Sequence, residues 1–184
     1  MAFTRTLCHN LLTMHIQQVN FINSVKAQFP DYFTGKSVLD VGSQDLNGNN
    51  RQFFTDCKYL GLDICEGRNV DVVGYVHEWA KTTKQRFDVV ISGEMLEHDQ
   101  HYIQSVKAMY GLTKKGGLLV ITCAAPGRPE HGTSRSNPGD SPATNDYYMN
   151  IDDKMLMDAL HGCKFNECKA VIQGEDLYFY GVKL

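Results

Sequence analysis

The sequence predicts an α/β fold in which a mostly parallel sheet carries helices on both faces. Short apolar runs alternate with segments of helical period along most of the chain, the order of strands and crossover helices in a doubly wound fold. The runs are nearly continuous in Val, Ile and Leu, as burial on both faces of a parallel sheet requires. The last two β-like runs, joined by the segment QGED, predict a closing hairpin.

The predicted elements follow this order along the chain. Apolar residues on a helical period predict a helix over residues 10–29, which Pro30 ends. Five strands are predicted at residues 36–41, 58–63, 70–73, 87–92 and 117–123, with helices at 48–55 and 98–111. A helix over 151–160, with Asn150 or a neighbour as N-cap, precedes the hairpin strands at 164–172 and 177–183.

One long irregular segment interrupts the pattern. Residues 124–146 hold four of the five prolines and three glycines. A loop of this length in a compact domain is a lid, a binding loop or a disordered insert, and we predict a substrate or lid loop over 124–148. With 184 residues and no internal repeat, the chain is predicted to be one domain, 1–184, with residues 1–30 as an N-terminal helical segment.

Composition narrows the possible partners and location. The net charge is −3, from 18 basic and 21 acidic residues, without a block of like charge that would indicate binding to nucleic acid or a membrane surface. The six cysteines form no C-x-x-C pair, which favours a reducing compartment. No apolar run is long enough to span a membrane, and the N-terminus lacks the apolar core of a signal peptide. We therefore expect a cytoplasmic protein.

The segment VLDVGSQDLNGN, residues 38–49, predicts a ligand-binding turn between a strand and a helix. Gly42 permits the tight turn, but Gln44 stands where a dinucleotide loop needs its second glycine, and Asp45 would repel a phosphate. Asp63, 21 residues after Gly42, ends the second strand, where an acid can accept hydrogen bonds from ribose hydroxyls. The pattern favours a ligand with adenosine at one end and a cationic, amino-acid-like group at the other.

Four segments together resemble a known family. VLDVGS, YLGLDI, FDVVISGEMLEHD and GGLLVITCAAP, in this order and spacing, are similar to class I S-adenosylmethionine-dependent methyltransferases, most closely to the methyltransferase-11 type. The resemblance covers residues 36–183. It implies a Rossmann-like three-layer α/β/α sandwich whose seven-stranded sheet has the order 3-2-1-4-5-7-6 and an antiparallel last strand. It also implies S-adenosylmethionine as cofactor, with S-adenosylhomocysteine as product.

The resemblance also assigns cofactor contacts by position. The ends of the first and fourth strands would lie along the methionine and ribose, the second strand would hold the ribose, and the third would reach the adenine. Tyr75 and Val76 depart from the family pattern, which has an acid and a small residue there; a backbone contact from Val76 stays possible, and Tyr75 is alternatively an edge-strand aromatic. The implied set is Asp40, Gly42, Ser43, Gln44, Leu46, Asp63, Ile64, Tyr75, Val76, Ser92, Gly93 and Glu94.

The segment after the fourth strand supplies the candidate catalytic residue. Ligands of open α/β sheets bind beyond the carboxyl ends of the strands, so His98 faces the reaction site and could take a proton from the acceptor. The alternative is a structural histidine that caps the helix predicted at 98–111. His131, Tyr147 and Tyr148, on or after the long loop, either close over a substrate or belong to a solvated loop and a packed helix end.

No metal site is predicted, because neither His9 with His15 nor Asp152 with Asp153 is spaced to share a third ligand.

The residues that follow the fourth strand, SGEM, differ from the Asp/Asn-Pro-Pro-aromatic stretch of enzymes that methylate adenine or cytosine amino groups. The acceptor is therefore expected to be a small molecule, with a protein side chain still open. Two other functions stay open: a nicotinamide-dependent oxidoreductase or nucleotide-sugar enzyme, and a non-catalytic module that binds S-adenosylmethionine.

Overall fold

The structure, a computed structural model that describes residues 14–184, contains seven strands and four α-helices over that range. The strands are β1 Ser37–Val41, β2 Lys58–Asp63, β3 Val72–Val73, β4 Phe87–Gly93, β5 Thr113–Ala124, β6 Phe165–Gln173 and β7 Asp176–Lys183. The helices are α1 Ile16–Gln28, α2 Val76–Thr82, α3 Tyr102–Leu112 and α4 Asp153–Ala159. Single 3-10 turns lie at Pro30–Phe33, Asn50–Phe53, Leu96–His98 and Pro138–Asp140.

All seven strands form one sheet in the order β3-β2-β1-β4-β5-β7-β6. The pairs from β3 through β5 are parallel, whereas β7 pairs antiparallel with both β5 and β6. The sequence-based prediction of this strand order and of an antiparallel last strand is confirmed. Because β1, β2 and β4 are parallel neighbours, their carboxyl ends open at the same edge of the sheet, where ligands of such sheets bind.

Alternate residues of the central strands fill two cores, one on each face of the sheet. Val38 of β1 packs in the core that includes Ile22 and Val25 of α1, and its neighbour Leu39 packs in the opposite core with Val106 of α3. All five are almost fully buried, and each such side chain stabilises the fold by about 1.5–3 kcal/mol. This packing holds the strand ends rigidly around the edge that carries the candidate site.

The prediction of a helix at residues 48–55 is wrong, because the chain makes only the 3-10 turn Asn50–Phe53 there. The Asn49 side chain caps this turn by accepting from the Arg51 N–H, and Phe54 returns to extended backbone. Phe54 then stacks on the buried Phe33, with ring centroids 4.9 Å apart. Packing of one aromatic residue thus ends the helix after a single turn.

Other boundaries also differ from the prediction. The helix placed at 98–111 is divided into the turn Leu96–His98 and α3, which starts at Tyr102, and α2 was not predicted because seven residues carry too little periodicity. In the predicted strand 70–73 only Val72–Val73 pairs, because the Asp71 carboxylate accepts from the Gly61 N–H at 2.8 Å and replaces a backbone acceptor.

The prediction of the N-terminal helix holds only in part, because α1 begins at Ile16 and residues 10–13 lie outside the described residues. Asn150 is not the N-cap of the helix before the hairpin. Asp152 caps α4 by accepting from the Met155 N–H at 2.7 Å, while Asn150 donates its amide to the Arg128 carbonyl. Over the described residues no helix combines the length and the apolar character that crossing a membrane demands.

Candidate functional site

One cavity of about 440 Å³ opens at the carboxyl ends of β1, β2 and β4. It is lined by thirteen of the residues singled out in the sequence: Asp40, Gly42, Ser43, Gln44, Leu46, Asp63, Ile64, Tyr75, Val76, Gly93, Glu94, His98 and His131. Ser92, Tyr147 and Tyr148 do not line it. Ser92 is instead fully buried and donates its hydroxyl to the Val41 carbonyl at 2.8 Å, which ties β4 to β1.

The turn after β1 depends on Gly42. Its φ of +78° lies in the left-handed region that favours glycine. A Cβ added at this position would stand 2.7 Å from Cβ and Cγ of Met95, too close for a normal contact. The N–H groups of Gly42 and Ser43 both donate to the Leu62 carbonyl. Gly42 thus lets β1 end in a tight turn against β2 and leaves the cavity open above it.

The loop over the cavity is held by its own polar groups. The Gln44 N–H donates to Oδ2 of Asp63 at 2.9 Å, so the acid at the end of β2 fixes the loop. Asp45 is turned into the loop, where its carboxylate accepts from the Gly48 N–H at 2.9 Å and from the Asn49 amide at 3.0 Å. Asp63 keeps lone pairs that can accept further hydrogen bonds from a ligand.

A buried acid lies at the base of the cavity, on the α1 side of β1. Asp40 accepts from the Tyr59 hydroxyl at 2.5 Å and from the Asn50 amide at 2.9 Å. Burial raises the pKa of Asp40 to about 6, even though the bonds from Tyr59 and Asn50 lower it. The amide oxygen Oδ1 of Asn50 is buried without a hydrogen-bond partner. Since Asp40 and Asn50 both line the cavity, a ligand ammonium group could donate to this pair of acceptors.

Tyr75 lines another part of the cavity and lies beside two histidine rings. Tyr75, at the N-cap of α2, lies 5.5 Å from the His77 ring and 5.8 Å from the His101 ring, measured between centroids. Tyr75 and the neighbouring Val76 line the cavity. The alternative that Tyr75 is an edge-strand aromatic is wrong, because β3 ends at Val73 and Tyr75 is the N-cap of α2. Tyr75 and Val76 give this part of the cavity an aromatic and an aliphatic surface.

Glu94, His98 and His131 line a further part of the cavity, and Glu97 is buried beside the two histidines. Glu94 has a φ of +52°, and its Oε1 accepts from the Thr122 hydroxyl at 2.9 Å. A non-glycine residue in this region is strained, and such strain concentrates at functional sites. Glu97 is fully buried, with Oε1 accepting from the Ala124 N–H at 3.2 Å. Burial, followed by the charge of Glu94, raises the pKa of Glu97 well above its usual range.

His98 lies against His131 from the long loop, with their Nε2 atoms 3.3 Å apart. Burial, with the neighbouring His131, lowers the pKa of His98 to about 4, so its ring is neutral at physiological pH. The predicted alternative role, capping of the following helix, is not observed: His101 is the N-cap of α3, and no side chain caps that end. Tyr148 packs edge-on against both histidine rings, 5.4 Å from His98 and 5.0 Å from His131.

Arg128 fastens the start of the long loop to the sheet. It donates to Asp176 of β7, lies 3.9 Å from Oε2 of Glu94, and hydrogen-bonds Nε2 of His15 at 2.9 Å. Arg128 was not predicted from the sequence as a site residue, and neither were Gln18 and Asn50, which also line the cavity. An arginine between two prolines of a loop that follows a buried strand was a usable signal for Arg128, whereas nothing in the local sequence marks Gln18.

Comparison with protein families places the chain in a class. The fold is that of class I methyltransferases, and the family model described as a methyltransferase domain, Methyltransf_23, matches residues 15–172. The chain therefore belongs to the methyltransferase-23 domain family. The resemblance to class I methyltransferases is confirmed, with this family matched where the motifs suggested the methyltransferase-11 type. Comparison with curated proteins found no match.

Solved structures with the same fold include several methyltransferases. The 1,6-didemethyltoxoflavin-N1-methyltransferase of Burkholderia thailandensis, with bound 1,6-didemethyltoxoflavin and S-adenosylhomocysteine, is 16% identical with a TM-score of 0.60, over 88% of this chain and 75% of that one. The N-methyltransferase NodS of Bradyrhizobium japonicum WM9, in complex with S-adenosylhomocysteine, is 9% identical with a TM-score of 0.61, over 91% and 87%. The DhpI complex with SAH is 14% identical with a TM-score of 0.63, over 91% and 84%. At these identities the likeness concerns the fold.

Proposed function

We propose that the protein is an S-adenosylmethionine-dependent methyltransferase that acts on a small molecule. The observation that carries the proposal is a continuous cavity at the strand ends, which is lined by Asp63 and Tyr75 as well as by the histidine pair. Asp63 and Tyr75 lie toward one end of this cavity, Asp40 and Asn50 at its base, and His98 with His131 at the other end. A cofactor bound along the first part would present its methyl group toward the histidines.

The residues present fit S-adenosylmethionine. Asp63 has free lone pairs for the ribose hydroxyls, and Ile64, Tyr75 and Val76 provide an apolar wall for the adenine. The unpartnered oxygen of Asn50 and the buried carboxylate of Asp40 would receive the ammonium group of the methionine portion. Bound there, the cofactor supplies a sulfonium methyl group that is already reactive.

The chain's part in methyl transfer is mainly alignment. A lone pair of the acceptor forms a bond to the methyl carbon, the electrons of the carbon–sulfur bond return to sulfur, and the acceptor loses a proton when it starts neutral. Holding the two reactants in line can supply on the order of 7–11 kcal/mol of the barrier reduction. His98 is the candidate to receive that proton, because its neutral ring faces the acceptor end.

A small-molecule acceptor is supported by the charge around the cavity and by relatives. The acceptor end carries Glu94, Glu130 and Asp140 against one cation, Arg128, among the described lining residues, unlike the basic groove that tracks a phosphate backbone. The relative from Burkholderia thailandensis was solved with the small molecule 1,6-didemethyltoxoflavin. Residues of the 124–148 loop line the acceptor end and would select the acceptor.

Calorimetric titration with S-adenosylhomocysteine, with NAD in parallel, tests the cofactor. We expect micromolar or tighter binding of S-adenosylhomocysteine alone. Asp63→Ala should weaken it about 100-fold, since each hydrogen bond to a charged group is worth about 1.5–3 kcal/mol. Glu66→Ala is the matched control, because Glu66 is an exposed acid of the same β2–β3 connection that does not line the cavity.

Two results would overturn the cofactor assignment. Binding of NAD without S-adenosylhomocysteine would favour the oxidoreductase or nucleotide-sugar alternative. Equal affinities of Asp63→Ala and the parent protein would show that the ribose lies elsewhere. The alternative of a non-catalytic binding module stays open because Tyr75 stands where the family has an acid. Transfer of labelled methyl groups from S-adenosylmethionine to any member of an acceptor panel would exclude this alternative.

A further inference from the structure

Glu97, His98 and His131 bring three possible metal-ligand atoms together at the acceptor end of the cavity. One carboxylate oxygen and one nitrogen from each imidazole lie within 4.8 Å of one another. We propose that these three residues bind a divalent transition-metal ion, a site distinct from the cofactor contacts. This departs from the expectation from sequence that the protein holds no metal.

The spacing of the two histidines suits a shared ion. With metal–nitrogen bonds of ~2.0–2.1 Å, two ligands of a tetrahedral ion are about 3.4 Å apart. The Nε2 atoms of His98 and His131 are 3.3 Å apart. The same distance permits a hydrogen bond in which one neutral ring donates to the other, so the distance alone does not separate the two arrangements.

Glu97 favours a shared metal ion over a hydrogen bond between the two histidines. Its side chain has no exposed surface, and its second oxygen, Oε2, has no hydrogen-bond partner. Burying a carboxylate oxygen without a partner is costly. A cation coordinated by this carboxylate satisfies the oxygen and compensates the buried charge together.

Neighbouring groups hold two of the three ligands, His131 and Glu97, whereas Nδ1 of His98 is buried without a hydrogen-bond partner. A ligating histidine usually donates its other ring N–H to a carbonyl or carboxylate, and Nδ1 of His131 lies 3.2 Å from the Pro129 carbonyl oxygen. Oε1 of Glu97 is fixed by the Ala124 N–H.

The ligand set indicates which ions fit. Two imidazoles with one carboxylate suit zinc and the neighbouring first-row ions, such as manganese, iron and cobalt, better than calcium or magnesium, which prefer oxygen ligands. Three protein ligands leave coordination positions open, as in catalytic rather than structural sites. Since His98 and His131 both line the cavity, the open positions would face the acceptor.

Coordination would also define the role of His98. The Nε2 lone pair that binds a metal is the one that would accept a proton from the acceptor, so the two roles exclude each other. His98 belongs to the turn after β4, whereas His131 belongs to the long loop. An ion between them would therefore link the loop to the sheet edge, in addition to the anchor that Arg128 provides.

Cobalt binding tests the proposal without any knowledge of the acceptor. The full chain, stripped with a chelator, is titrated with Co²⁺ while its visible absorption is recorded, and with Zn²⁺ and Mn²⁺ by calorimetry. We expect one saturable site per chain with the absorption of a coordinated cobalt ion. His131→Ala should weaken binding at least tenfold, since loss of even a partner of a ligand costs 10–100-fold. Glu97→Gln should also weaken it.

His161→Ala is the matched control, because His161 is exposed and does not line the cavity, and it should bind Co²⁺ like the parent. Absence of saturable binding by the folded parent, or equal affinities of His131→Ala and the parent, would overturn the proposal and leave a histidine–histidine hydrogen bond. Titrating the same samples with S-adenosylhomocysteine keeps the two proposals separate. Cofactor binding without Co²⁺ binding would overturn only the metal site, and the reverse result only the proposed function.

Discussion

Replacing Arg128 with methionine should destabilise the fold more than any ordinary surface substitution. The Arg128 side chain is only 14% exposed and faces two carboxylates, Asp176 at 11% and Glu94 at 18% exposure. Removing one partner of a fully buried ion pair costs about 3–5 kcal/mol, because the other charge is left uncompensated. Here Tyr178 still donates to Asp176, and Thr122 still donates to Glu94. We therefore expect Arg128→Met to lower the free energy of unfolding by about 2–3 kcal/mol.

The origin of this loss can be measured with a double-mutant cycle and its pH dependence. Asp176→Asn removes one of the two carboxylates that Arg128→Met leaves without a cation. The double variant should therefore lose less unfolding free energy than the sum of the two single variants, by about 1 kcal/mol or more. Burial raises the pKa of Glu94, while Arg128 lowers it. Without Arg128 this pKa rises further, so the folded state holds its proton more tightly than the unfolded state. The penalty of Arg128→Met must then grow as the pH rises above the usual glutamate range.

Urea denaturation at pH 5 and pH 8 provides the assay. The expected result is a larger difference between Arg128→Met and the parent protein at pH 8. An equal loss at both pH values, or additive losses in the double-mutant cycle, would show that Arg128 acts through packing of its stem. A loss below about 0.5 kcal/mol, the range of ordinary surface changes, would refute the view that the loop is anchored by this arginine.

Two further changes test the turn and an ion pair outside the cavity. Gly42→Ala should lower the free energy of unfolding by about 2–4 kcal/mol, through the left-handed backbone and the clash with Met95, whereas Gly111→Ala, inside α3 with open space around it, should be neutral or stabilising by urea denaturation. Partial burial raises the pKa of Asp88, but the hydrogen bond from Lys114 helps to lower it to about 2, below its ordinary 3.8. Asp88→Asn should therefore lower the free energy of unfolding by about 1 kcal/mol at pH 7, a value discounted for solvent exposure. This difference from the parent protein should vanish as the pH falls from about 4 toward 2, and a loss independent of pH would contradict the role of the ion pair.

The fold could be predicted because its signals are local and repeated. The strands of the sheet centre are apolar runs, and burial on both faces permits little else there. The errors fall where one tertiary contact overrides local propensity. Stacking of Phe54 on Phe33 ended a predicted helix after one turn, and the carboxylate of Asp71 shortened a predicted strand. The periodicity of a single sequence does not reveal such contacts between distant residues.

The cavity residues at the strand ends were predictable for a related reason. Gly42, Asp63 and the residues after them stand directly at strand ends, so that knowing the strands places the residues. The acceptor end combines His98, at a strand end, with His131, 33 residues further along the chain. The contact between these two histidines depends on the path of the loop. Arg128 fixes that path through its contacts to Asp176 of β7 and to His15, which precedes α1.

This difference also explains why the metal-ligand set escaped a search by spacing. Glu97 and His98 are adjacent and would be interpreted as a helix start, while His131 lies in a loop rich in proline and glycine. What joins them is the buried, unpartnered oxygen of Glu97 beside two imidazole nitrogens. A buried carboxylate oxygen without a donor is a stronger indication of a ligand than proximity of histidines, because burying it unpartnered is costly.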